Sequence, residues 1–104
     1  MEKDMGEKQH ILKERLSFLA EAMLHLKTLD EFEIFLTDIL TNQEIEIIAQ
    51  RLYVAICLLE GKTFKEISSK LGVSSGTIER VNQSVLYGEG GYKVVIERIC
   101  KKSI

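Results

Sequence analysis

The 104-residue sequence contains no proline and no tryptophan, and only 7% of its residues are aromatic. Without proline, nothing in the chain fixes φ or removes an amide donor inside a helix, so long helices can run uninterrupted. No apolar run approaches the roughly 20 residues that a membrane-spanning helix requires, which predicts a protein without transmembrane segments. The first ten residues, MEKDMGEKQH, are charged and lack the apolar stretch of a secretory leader. Cysteine is scarce too. Cys57 and Cys100 stand alone in apolar helical patterns, without CxxC spacing, and read as reduced core residues of a cytoplasmic protein. The two histidines, His10 and His25, have neither a nucleophile nor a carboxylate at motif spacing, and no metal-ligand pattern. Catalysis is therefore not expected.

What remains is the composition of a small globular domain, 45% hydrophobic and 29% charged. One domain spanning 1–104 is expected, too small to bury much of its surface alone. The formal charge of −2 is unevenly spread. Residues 1–60 hold six Lys and Arg against twelve Asp and Glu, whereas residues 61–104 hold eight against four. A surface that meets phosphate is thus expected in the second part of the chain.

Apolar spacing predicts six helices and no strand. In the first, Leu12, Leu16, Leu19, Met23 and Leu26 recur four and three apart as a seam, and Ile11, Phe18, Ala22 and Leu29 form a second row. So wide an apolar surface needs cover on two sides. In a short chain that predicts a second subunit, although packing within the domain would also serve. Three later starts, Thr28–Glu31, Thr41–Glu44 and Thr63–Glu66, carry the hydroxyl-to-carboxylate spacing of a capping box. Gly61 and Gly72 mark helix ends. The run Gly88-Glu89-Gly90-Gly91 is a break before a last helix carrying Val95, Ile96 and Ile99.

The stretch from Phe64 to Val81 holds two short helical patterns meeting at Gly72. Ile67, Leu71, Val73, Ile78 and Val81 would form the apolar wedge between them, which is a helix-turn-helix signature covering about 63–86. In such a motif the start of the second helix faces base edges in the major groove. Here those residues are Ser74, Ser75, Gly76 and Thr77, hydroxyl-bearing or bare, with Arg80 one turn on. Lys62, Lys65 and Lys70 are placed for contacts to the phosphate backbone. Glu79 fits this scheme poorly, since it would repel phosphate unless it accepts from a cytosine amino group. These features predict a sequence-specific DNA-binding transcriptional regulator acting on a double-stranded operator. The competing expectation is a helical protein–protein interaction module that has lost DNA binding, which the acidic net charge and Glu79 would favour.

From Thr41 to Leu86 the sequence TNQEIEIIAQRLYVAICLLEGKTFKEISSKLGVSSGTIERVNQSVL resembles the core of the Trp repressor family, and the tail LYGEGGYKVVIERI is similar to that family's trp-repressor-like branch. The resemblance implies an all-α, six-helix fold, an intertwined homodimer and a repressor's role. It also implies a small-molecule effector, L-tryptophan as corepressor, held between two arginines and a serine. The corresponding positions are Arg51, Arg80 and Ser84, with Thr41 at the border of the pocket. Two departures speak against tryptophan itself. Val81 stands where the tryptophan-responsive repressor has glycine and would intrude on the ring, and Asp38 places an acid where that repressor has leucine.

Overall fold

The computed structural model describes residues 2–102. Six helices follow in chain order: α1 (Glu2–Leu24), α2 (Leu29–Ile39), α3 (Asn42–Leu59), α4 (Phe64–Leu71), α5 (Ser75–Tyr87) and α6 (Gly91–Lys102). No strand occurs among the described residues. The all-α, six-helix expectation is met. Two compact units divide the chain, the first reaching Thr41 and the second beginning at Asn42.

In the first unit α1 begins well before the apolar rows, because nothing in the charged leading stretch breaks a helix. It ends at Leu24, and His25 and Leu26 tighten into i→i−3 bonds to Ala22 and Met23, at 3.2 and 3.1 Å. Leu26, expected as the last rung of the seam, therefore lies just beyond the helix. Thr28 caps α2 by accepting from the Glu31 amide at 3.2 Å. Glu31 in turn accepts from the amide of Lys27, not of Thr28, at 2.7 Å, so the box closes one residue early. The apolar rows of α1 remain on the surface: Leu12, Leu16 and Phe18 are 68%, 64% and 71% exposed, and Ile11 and Leu19 are exposed as well.

The second unit is built around α3, against which α4, α5 and α6 pack. Its core joins Val54, Ala55 and Cys57 of α3 with Ile67 of α4, Val73 of the following turn, Ile78, Val81 and Val85 of α5, and Ile96 of α6. No polar side chain is buried among the described residues. Cys57 belongs to this core, but Cys100, expected there too, is exposed. The short apolar pattern of α6 turns Ile96 inward and leaves the residue four positions on outside.

Local signals set each boundary. α3 ends in a Schellman motif: Gly61 donates to the carbonyl of Leu58 at 3.0 Å and Lys62 to that of Cys57 at 3.1 Å. α4 opens with a complete capping box. The Thr63 hydroxyl accepts from the Glu66 amide at 3.1 Å while the Glu66 carboxylate accepts from the Thr63 amide at 3.2 Å. The Thr63 amide, then its hydroxyl, and Lys62 to a lesser degree hold the Glu66 carboxyl below the usual glutamate range. A carboxylate depressed in this way stabilises the fold at neutral pH. The contribution starts to fade as pH drops below the unfolded-chain value and is gone once pH passes the lower folded one. Thr63→Ala should cost about 1 kcal/mol at pH 7. It should also narrow, without closing, the difference in urea midpoint between pH 7 and pH 4, because Glu66 loses the Thr63 hydroxyl but keeps the backbone amide that depresses it most.

Candidate nucleic-acid interface and adjoining cleft

Helices α4 and α5 meet at Gly72, whose φ of 68° places it in the left-handed region. No neighbouring atom crowds this glycine, so backbone conformation alone demands it. Its amide donates to the Ser68 carbonyl at 2.9 Å. The Ser68 hydroxyl then reaches across the turn to the Val73 carbonyl at 2.8 Å. Beneath the turn Ile67, Val73, Ile78 and Val81 are buried and Leu71 is half-buried, which is the wedge the sequence predicts.

The first turn of α5 faces outward. Ser74, Ser75 and Gly76 are exposed and Thr77 is half-buried. The structure also gives Ser74 a task that its sequence position left open. It is the N-cap, its Oγ accepting from the Thr77 amide at 3.2 Å and lying 3.1 Å from the Thr77 hydroxyl. Of these two paired hydroxyls one donates to the other, leaving a single proton to offer outward. A Cβ added at Gly76 would meet only the Ser74 hydroxyl oxygen, at an ordinary 3.8 Å. Nothing inside the chain therefore requires glycine in that helical turn, where it costs roughly 0.5–1 kcal/mol relative to alanine. Lys65 and Lys70 are exposed on α4, with no described carboxylate within salt-bridge distance of either. Lys62 is half-buried at the preceding helix end.

On one flank of α5, Thr77, Arg80 and Ser84 line a cleft of about 460 Å³ together with Ile47, Gln50 and Arg51 of α3, Val81, and Tyr92 of α6. Arg51, Arg80 and Ser84, scattered in sequence, thus converge on one opening. No described carboxylate lies within salt-bridge distance of either arginine. Val81 contributes to the wall although it is almost wholly taken into the core, only 4% exposed. All of this lining comes from the second unit, whereas Thr41 and Asp38 belong to the first. A second opening of about 580 Å³ shares Arg51, Ser84 and Tyr92 and is walled by Ile48, Leu52 and Val95. Gln50 and Tyr92 belong to no motif in the sequence, and Gly88, legible there only as part of a break, lies at the rim of that second opening, where a Cβ would collide with the Ser84 carbonyl oxygen.

Among the described residues no group of histidine, cysteine or acidic side chains could hold a metal ion, and no helix is long and apolar enough to cross a membrane. A glycine-hinged pair of short helices, wedged on an apolar core with the tip of the second turned outward, defines a helix-turn-helix protein. Residues 14–100 match the family described as Trp repressor protein. The chain belongs to the Trp repressor family, whose members are non-enzymatic DNA-binding regulators. It is 39% identical over 84 residues to an uncharacterized protein, YerC, of Bacillus subtilis (strain 168), covering 81% of each chain. Among solved structures it is similar to a TrpR like protein from Eubacterium eligens ATCC 27750, at 43% identity and a TM-score of 0.76, covering 83% of this chain and 89% of that one. A candidate Trp repressor from Staphylococcus aureus is similar at 34% identity and a TM-score of 0.75, over 82% and 85% of the two chains.

Proposed function

We propose that the protein is a homodimeric transcriptional repressor that sets the tip of α5 into the major groove of an operator. The observation that carries this reading is Gly76. An exposed helical position with room for a side chain holds glycine, which weakens the helix and lets another backbone come close. Ser75, with Ser74 and Thr77 sharing one outward proton, supplies polar contacts at the same tip. Arg80, Lys65 and Lys70, all exposed, supply positive charge for phosphates. The exposed apolar rows of α1 supply a surface for the second subunit. A dimer places two tips on successive faces of the duplex about one helical turn, roughly 34–36 Å, apart. The cleft of Arg51, Arg80 and Ser84 is the seat of an effector, its guanidinium groups suited to an aromatic or anionic ligand.

A salt titration of duplex binding with the native chain and Gly76→Ala tests the proposal. Native affinity should fall steeply, by orders of magnitude, between about 50 and 200 mM salt. Gly76→Ala should melt a few degrees higher yet bind duplex at least about tenfold more weakly, because its methyl group occupies the contact. Indifference of the native chain to any duplex would favour the protein-interaction reading. Undiminished binding by the more stable variant would remove the tip from the interface. Calorimetry with L-tryptophan tests the effector, and absence of heat at millimolar ligand would exclude that corepressor.

A further inference from the structure

Helix α5 presents three sides by its spacing. Ile78, Val81 and Val85 enter the core, and Thr77, Arg80 and Ser84 line the cleft. The third side carries Ser75, Glu79 and Gln83, four apart in one exposed row beside Gly76. Along this row the Gln83 carboxamide Nε2 donates to Glu79 Oε1 at 2.8 Å. The bond fixes the carboxylate one turn from the tip and leaves Oε2 to accept from outside. No described cation lies within salt-bridge distance of Glu79.

We propose that Glu79, positioned by Gln83, selects a cytosine in the operator. The inference rests on the DNA-binding reading above and goes further by assigning a base to a residue. Bringing an uncompensated carboxylate among phosphates is unfavourable unless it meets a donor. In the major groove cytosine offers its N4 amino group. Guanine presents two acceptors there, thymine an acceptor and a methyl, and adenine an amino group flanked by the N7 acceptor. Each of these last three sets a lone pair or an apolar group against the carboxylate, so selectivity arises from repulsion as much as from attraction. A mismatched pair at a contacted position typically weakens binding by about fivefold to hundredfold.

Selection from a randomised duplex library, followed by sequencing, tests the assignment with the native chain, Glu79→Gln, Glu79→Ala and Gln83→Ala. Circular dichroism verifies that each variant keeps its helices. The native chain should enrich a C·G pair at one position of each half-site. Glu79→Ala should flatten that position alone. Glu79→Gln should shift it toward adenine, which a carboxamide reads through N6 and N7. Gln83→Ala should blur the preference without abolishing it, as expected of a positioning residue. If both Glu79 variants enrich the same site as the native chain, the cytosine assignment falls while DNA binding stands. If the native chain enriches nothing, both fall together.

Discussion

Ile78→Ala should destabilise the second unit by about 2–5 kcal/mol, the usual cost of truncating a large aliphatic side chain in a closed core. Ile78 is fully buried, in the same cluster as Ile67, Val73 and Val81, and it holds the first turns of α5 against α4. Small domains are stable by only about 5–15 kcal/mol in total, so this loss takes a large share. At roughly 4–8 °C per kcal/mol for a unit of this size, the melting temperature should fall by about 8 °C or more. Urea unfolding followed by far-UV circular dichroism measures the change. Gln83→Ala on the exposed side of the same helix is the comparison, and should cost no more than about 0.5 kcal/mol. Equal midpoints for the two variants would mean that the wedge does not secure α5, and the outward tip would lose its structural basis.

Leu19→Asp should abolish self-association. Leu19 lies in the seam of α1 with Leu12 and Leu16, and Phe18 widens the same apolar surface. Exposed in the chain by itself, these side chains form the surface proposed to meet a second copy. Burying an unpaired carboxylate there would cost several kcal/mol, far more than a surface substitution. Sedimentation velocity should show a dimer for the native chain and a monomer or an unfolded chain for Leu19→Asp. Glu14→Gln on the polar side of α1, where Glu14 pairs with His10 at 3.0 Å, should leave the dimer intact. A well-folded Leu19→Asp dimer would show that the seam lies elsewhere.

The helix-turn-helix was the most legible part of the chain, because three independent local signals agree there. Thr63 and Glu66 cap α4, Gly72 closes it in the left-handed region, and the wedge residues recur at helical spacing. Where only one weak signal existed, the structure departs from expectation. The leading stretch of α1 is rich in charge, with Met5 alone among its apolar residues before Ile11, and leaves no apolar period to read. Cys100 follows Ile96 by four and so shares its helix face, and only the structure shows that the core ends one turn before it. Ser74 carries a hydroxyl that suits either a cap or an external contact, and only geometry reveals the cap. The bond from Ser68 to Val73 has no sequence mark at all, since a serine inside a helix usually faces solvent or its own preceding turn. The meeting of Arg51 with Arg80 and Ser84 joins two distant helices, and spacing along the chain could not foretell it; only the family resemblance pointed there.

That bond from Ser68 to Val73, with the left-handed Gly72 beside it, anchors the turn to α4, and the apolar wedge beneath holds α5 on the same support. A stiff reader surrenders little conformational freedom on docking, so less of its interaction energy is consumed by ordering. Heat-capacity change on complex formation should then track the apolar area removed from water, without the surplus that accompanies coupled folding.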